Sequence, residues 1–246
     1  MIVLVLVLGL ATIAPARPLA QPPAQPPPDP CAGVRCGTHG LCGSESQEAY
    51  CFCDEGFEAS GRSCVRAPAR RMLITAPASE LGARIVGLAS AEDGRDLANV
   101  GRSRASLEPG PLARYVTPGA LWCSDFVSWV YRAAGVPFTG GAHGGWMLPT
   151  NAAIRRWFVR RSAWIERGDV GYGSFTPSPG DYVRISTPTW GHSAIVRSVQ
   201  GTTLHLVEGN ARGHVRLIRY ERWREHARIE GFGLIRAAHA PRPRRS

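Results

Sequence analysis

The chain has 246 residues, and 44% of them are hydrophobic, which is ordinary for a protein that buries a core and argues against disorder of the whole chain. The formal net charge is +10, and every basic side chain is arginine because the sequence contains no lysine. This charge either favours an acidic partner or is solvated surface, and the lack of a basic helix face with interleaved aromatic residues argues against nucleic acid.

The N-terminus, MIVLVLVLGLATIAPA, is an apolar run with small residues at Ala14 and Ala16. The run is too short to span a bilayer and is followed quickly by proline, which is typical of a secretory signal peptide. We therefore predict a signal peptide over 1–20, a secreted or periplasmic protein, and no stable membrane span in the mature chain. Residues 21–30 are rich in proline and are predicted to be an extended linker.

Six of the seven cysteines fall within residues 31–64. A segment this short cannot bury enough apolar surface to be stable alone, so disulfide bonds are expected to hold it. Six cysteines allow fifteen pairings, and their spacing alone does not choose between them. The cysteines are Cys31, Cys36, Cys42, Cys51, Cys53 and Cys64.

The cysteine order C-x4-C-x5-C-x8-C-x-C-x10-C, with Gly56 and Phe57 after the fifth cysteine, resembles an EGF-like module. The resemblance implies the pairs 31 with 42, 36 with 51, and 53 with 64, whereas another six-cysteine knot would pair differently. Only Asp29 precedes the first cysteine as an acidic residue, so we expect no calcium. The module is interpreted as a spacer or adhesion module, which allows a protein partner through it.

Residues 65–77 are predicted to be a second linker, 78–240 a globular domain and 241–246 a basic tail. Three segments have helical spacing of apolar residues, and they precede five short segments with β-branched residues and alternation. The order predicts an α+β domain with helices first and antiparallel strands afterwards. The helical segments are ASELGARIVGLASAED, LWCSDFVSWVYRAAG and NAAIRRWFVRRSAWI; the strand segments are DYVRIS, HSAIVRSV, TLHLVEG, HVRLIRY and FGLIRAA.

Cys123 is the seventh cysteine, and it falls in the first turn of the second predicted helix. An unpaired cysteine in an exported protein either has a functional free thiol or forms a disulfide bond with another molecule. A helix N-terminus presents unpaired backbone N–H groups and a positive dipole end, and both favour thiolate over thiol. The position therefore predicts an activated nucleophile; the alternative is a small buried hydrophobic residue.

A thiolate nucleophile needs a base, and the base needs an orienting group. Of the seven histidines, His192 is best placed, since it starts an apolar strand directly after a glycine. The next predicted strand ends in LVEGN, so Glu208 is the first candidate to accept the Nδ1 proton of that imidazole, and Asn210 is the second.

The motifs W-C-x-x-F-V-x-W-V-x-x-x-x-G, P-G-D, G-H-x-A-I-V and V-E-G-N occur here in that order, and they resemble the CHAP family of cysteine- and histidine-dependent amidohydrolases and peptidases. The resemblance implies a papain-like fold, with N-terminal helices packed on an antiparallel sheet. It also implies Cys123 as nucleophile, His192 as base, Glu208 as orienting acid and Asn210 as polar helper. Asp181 of the P-G-D turn is interpreted as structural.

By the same resemblance, we expect a bacterial hydrolase that cleaves amide bonds in peptidoglycan, with peptidoglycan or another anionic wall polymer as partner and no metal or other cofactor. Trp190, Trp146 and His143 are the candidate substrate-binding residues. One departure from the family is Asp125. Its negative charge would oppose ionisation of the Cys123 thiol if both side chains pointed in the same direction, but two residues along a helix differ by about 200° around its axis. The alternatives are a catalytically idle surface-binding protein and a cysteine peptidase that acts on proteins.

Overall fold

The computed structural model describes residues 28–45, 48–54, 57–66, 78–103, 110–117 and 119–239. The predicted signal peptide 1–20, most of the two predicted linkers and the basic tail 241–246 lie outside the described residues. Within the described ranges, no helix is both long enough and apolar enough to cross a membrane.

The cysteine-rich segment folds into two β-hairpins joined by disulfide bonds. Cys31 is bonded to Cys42, Cys36 to Cys51, and Cys53 to Cys64, which confirms the pairing that the EGF-like resemblance implies. The last strand runs two residues past the predicted boundary of the module. The strands are β1 (Gly40–Glu45), β2 (Glu48–Cys53), β3 (Phe57–Ser60) and β4 (Ser63–Arg66).

The remaining described residues form helices packed on one six-stranded antiparallel sheet, which confirms the predicted α+β class and helix-then-strand order. The strand order in the sheet is β5-β10-β6-β7-β8-β9. The helices are α1 (Ala78–Ser90), α2 (Cys123–Ala133), α3 (Asn151–Arg160) and α4 (Ile235–His239), with a 3-10 turn at Pro111–Arg114. The strands are β5 (Trp164–Glu166), β6 (Tyr182–Ser186), β7 (Gly191–Gln200), β8 (Thr203–Ala211), β9 (His214–Tyr220) and β10 (Ile229–Gly233).

Helix α2 is the central helix of the domain and packs against β7 and β8. Its apolar side chains recur at helical spacing, and four of them are fully buried, namely Phe126, Val127, Val130 and Tyr131. The helix ends where Gly135 adopts a left-handed backbone with φ of +81°, a conformation that glycine adopts without steric cost. The apolar stripe therefore anchors the helix on the two inner strands β7 and β8.

Two predicted elements differ from the structure. The third helix was expected to continue towards Ile165, but it ends at Arg160, and 164–166 form the edge strand β5. The backbone turns out of the helix at Ser162, whose φ is +52°. The final strand FGLIRAA is also wrong in its second half: β10 ends at Gly233, and α4 starts at Ile235, whose N–H donates to Asp181 Oδ1 at 3.2 Å. A distant carboxylate thus caps this short helix.

The disulfide-rich module packs directly on the larger domain. Phe52 of β2 is 2% exposed and belongs to the same hydrophobic core as α2 and α3. Two backbone hydrogen bonds join the module to the loop before α3: Cys53 N–H donates to Gly140 O at 3.4 Å, and Ala59 N–H donates to Gly141 O at 3.1 Å. Phe52 and these two hydrogen bonds thus dock the module on the domain, while its cysteines form a separate small core, and its interpretation as a spacer or adhesion module stays a prediction.

Candidate active site

Cys123 is the first residue of α2, as the sequence analysis predicts, and Trp122 is the N-cap. No side chain caps this helix end, so the backbone N–H groups of the first turn point towards the space in front of the thiol. Cys123 is the free cysteine of the described chain and is nearly buried, yet its side chain lines a cleft. The helix start therefore offers both a thiol and hydrogen-bond donors at one place.

The sheet register brings His192 and Glu208 together. Strand β7 pairs with β8 so that Ala194 lies opposite Glu208, which places His192 diagonally across from Glu208 on the same face. His192 Nε2 lies 3.0 Å from Glu208 Oε2, and the two side chains are 15% and 7% exposed. The carboxylate was expected at Nδ1, so the expected ring nitrogen is wrong. The pairing through Nε2 leaves Nδ1 as the ring nitrogen available to Cys123.

The charge state of His192 is set by its two neighbours. Burial alone would lower the pKa of His192, but hydrogen bonds to Cys123 and Glu208, together with the negative charges of these groups, outweigh burial and raise the pKa to about 10. Tyr220 OH donates to Glu208 Oε1 at 3.1 Å, and burial together with the Glu208 charge raises the pKa of Tyr220. The imidazole is therefore held in its protonated form between the Cys123 sulfur and the Glu208 carboxylate.

Asn151 is the polar residue of the site that the sequence analysis missed. Its Oδ1 lies 3.9 Å from Cys123 Sγ, accepts the Ser124 hydroxyl at 3.1 Å, and accepts the Ser193 hydroxyl as well. Ser193 also lies 3.0 Å from the hydroxyl of Tyr182. Residues from α2, α3, β6 and β7 thus form one buried polar network beneath the thiol. The available sequence signal was the Thr150 N-cap, which identifies a helix start but not what the helix start faces.

Asn210, the predicted polar helper, lies at the end of β8 with φ of +57°. Within the described chain, no hydrogen bond joins its side chain to Cys123 or His192. The left-handed backbone explains an asparagine here, because asparagine tolerates positive φ better than most residues. Its assignment as a helper stays a prediction.

The cleft in front of Cys123 has a volume of about 620 Å³. Of the three predicted substrate-binding residues, His143 and Trp190 line it, whereas Trp146 is buried behind Tyr115, with ring centroids 5.1 Å apart. No arginine is among the described residues that line the cleft. Asp125 contributes to the lining and is 5% exposed, so the departure noted in the sequence remains close to the thiol.

Asp181 lies away from the thiol and joins two parts of the fold. Its carboxylate accepts from Ser178 N at 2.8 Å and from Ile235 N at 3.2 Å. Burial raises the pKa of Asp181 to about 6, while these two hydrogen bonds and the Arg236 charge act in the opposite direction. The contacts agree with the structural interpretation of this residue. Within the described ranges, no three histidine, cysteine or acidic side chains come together as metal ligands do.

Residues 115–210, which contain Cys123, His192 and Glu208, match the model of the CHAP domain family. No curated protein sequence matches the chain. Two crystal structures of Ly7917, one of them with the hydrolyzing product of MDP, are similar at 16% identity, with TM-scores of 0.37 and 0.36. The match covers 61% of this chain and 61% of each Ly7917 chain.

Proposed function

We propose that this protein is a cysteine hydrolase of amide bonds, with Cys123 as nucleophile, His192 as acid and base, and Glu208 as orienting group, in keeping with the match of residues 115–210 to the CHAP domain model. One observation carries the proposal: His192 Nε2 lies 3.0 Å from Glu208 Oε2, and the same imidazole interacts with the side chain of Cys123, the first residue of α2. This arrangement supports an amidase or peptidase role, because it supplies a nucleophile, a proton carrier and a group that holds the carrier.

The reaction follows from these positions. Cys123 Sγ attacks the carbonyl carbon of the amide, and backbone N–H groups at the start of α2 donate to the oxyanion that forms. His192 then gives its Nδ1 proton to the leaving nitrogen as the C–N bond breaks, which leaves a thioester on Cys123. Water then attacks the thioester while His192 takes up a proton from it, the C–S bond breaks, and the carboxylic acid product leaves Cys123 as a thiolate beside protonated His192. Glu208 stabilises the imidazolium in both steps.

We propose peptidoglycan amide bonds as the substrate, in keeping with the CHAP domain, and a site of action outside the cytosol. Three disulfide bonds support such a location, because disulfides persist in oxidising compartments. We further propose that residues 31–64 are an EGF-like module, since their disulfide pairing is the one that the resemblance implies.

Hydrolysis of purified peptidoglycan by the variants Cys123→Ala and His192→Ala tests the proposal. Both should lose at least about 10³-fold in rate, as is usual when a nucleophile or its base is removed. His205→Ala is the matched control, since His205 is a half-buried histidine on β8 that does not line the cleft, and it should retain the rate. Mass spectrometry of the soluble products identifies the bond. Full activity of either site variant would exclude this mechanism, and an inactive wild type with intact folding would favour a surface-binding role.

A further inference from the structure

The disulfide-rich module is held on α3 by an arginine. Arg160 Nη1 donates to Cys53 O at 3.2 Å and to Asp54 Oδ1 at 3.1 Å. The guanidinium also lies 4.5 Å from the ring centroid of Phe52, and that of Arg156 lies 5.0 Å from it. Phe52 is thus held by burial and by cation–π contacts, and the next residue, Cys53, is held by a hydrogen bond. The end of β2 is therefore fixed relative to the helix that starts at Asn151.

The module also holds the glycine-rich loop that carries His143. Gly140 has φ of +81°, and a Cβ there would lie 3.0 Å from Cys53 O, so the loop can approach the module this closely only with glycine. Gly145 has φ of +88°, and a Cβ there would lie 3.2 Å from the Glu58 side chain. The module and the loop therefore pack closely around two glycines, and His143 of the same loop lines the cleft.

Strand β2 itself reaches the cleft. Ala49 and Tyr50 line it together with Cys123, and Tyr50 also packs against the hydrophobic core of the domain. Disulfide bonds hold β2 at Cys51 and Cys53, immediately after these two residues. A cleft wall built on such a braced strand is preorganised, which reduces the entropy lost when a ligand binds.

We propose that the module is one wall of the substrate cleft and that Tyr50 contacts the substrate, so that the module determines which amides reach Cys123. Four rings line the described cleft, Tyr50 from the module and Tyr115, His143 and Trp190 from the domain, and they lie there with Asp125 and without an arginine. Such a lining fits an apolar face of a group that carries no negative charge, held next to the scissile amide. The inference rests on the proposed function in that Cys123 is taken as the nucleophile.

Alkylation of Cys123 by two reagents of different size tests this placement without the natural substrate. In both iodoacetamide and its N-phenyl derivative, iodoacetanilide, the thiolate displaces iodide, but only iodoacetanilide carries a ring into the cleft. Tyr50→Ala should slow iodoacetanilide by about three- to tenfold, which corresponds to the loss of one aromatic contact. The rate with iodoacetamide should change less than about twofold, since Tyr50 takes no part in activating the thiol.

Two control variants isolate the ring. Tyr50→Phe keeps the ring and should keep the wild-type ratio of the two rates. Leu41→Ala removes a side chain of the same module that is 59% exposed and does not line the cleft, and it should also keep that ratio. A rise in the KM for peptidoglycan with unchanged kcat in Tyr50→Ala would extend the result to the substrate.

The outcomes separate this inference from the proposed function. If Tyr50→Ala leaves both alkylation rates unchanged, the cleft-wall role is refuted whatever the wild type hydrolyses. If both rates fall together, Tyr50 acts on folding or on the thiol, and the inference is equally refuted. If the ratio changes as expected while the wild type does not cleave peptidoglycan, the wall is supported and the proposed substrate fails. A wild-type Cys123 inert to both reagents would overturn both.

Discussion

The substitution Glu208→Gln tests the electrostatics of the candidate site most directly. It keeps the size of the side chain and an oxygen for His192 Nε2, but removes the negative charge 3.0 Å from that nitrogen. Glu208 is one of two groups whose hydrogen bonds and charges raise the pKa of His192 to about 10 against the opposing effect of burial. Without that charge the imidazolium loses one of its two stabilising neighbours, so the pKa of His192 should fall.

The magnitude follows from the contact. A hydrogen bond to a charged partner contributes about 1.5–3 kcal/mol, and 1.36 kcal/mol corresponds to a tenfold change in the protonation equilibrium. Loss of the charge should therefore lower the pKa of His192 by about 1 to 2. Because His192 must be protonated to release the amine, hydrolysis falls as the pH rises through this pKa. The alkaline limb of the profile should move from near pH 10 to about pH 8–9.

The assay is kcat/KM for peptidoglycan across pH 5–11, with imidazole resonances of His192 followed by NMR in the same range. Tyr220→Phe is the control, because it removes the hydrogen bond to Glu208 Oε1 and leaves the carboxylate charge in place. Its alkaline limb should stay within about half a pH unit of the wild type. An unchanged limb in Glu208→Gln, with an unchanged NMR titration, would show that Glu208 does not control the protonation of His192.

Two further predictions concern buried polar residues. Asn151→Ala leaves the buried hydroxyls of Ser124 and Ser193 without their shared acceptor. It should therefore lower the free energy of unfolding by about 1–3 kcal/mol, measured by urea denaturation, and slow hydrolysis, measured by kcat. Arg212→Gly, at an exposed position that has a left-handed backbone and does not line the cleft, should change both far less, and equal losses in the two variants would argue against the network. Burial raises the pKa of Asp181 from 3.8 to about 6, so between these pH values the folded protein holds a proton that the unfolded chain releases. The resulting contribution to the free energy of unfolding is complete below pH 3.8 and is lost as the pH rises through about 6. Asp181→Asn should remove up to about 3 kcal/mol of that decline between pH 4 and pH 8 in urea denaturation, and a variant with the wild-type pH dependence would contradict the assignment.

Much of the fold was predictable because its signals are local. The apolar spacing of α2 predicts both the helix and its buried face, and the position of Cys123 at its first residue follows from the chain breaks before it. The proximity of His192 and Glu208 was predictable for a similar reason, since consecutive strands tend to pair and two strands joined by a short turn bring their far ends together. Which ring nitrogen of His192 faces Glu208 was not predictable, because the sequence does not report the rotation of a side chain.

The presence of a cysteine-rich unit and a larger α+β unit could be read from the sequence, because clustered cysteines and apolar periodicity are properties of neighbouring residues, whereas the disulfide pairing came from the resemblance to an EGF-like module. Which groups meet beneath Cys123 depends on the tertiary structure. Asn151 reaches the thiol from another helix, and Asp181 caps α4 across 54 residues of chain. Likewise, the packing of Phe52 against the domain turns the disulfide-rich module into a wall of the cleft. Such contacts depend on how whole elements pack, and packing leaves no period in the sequence.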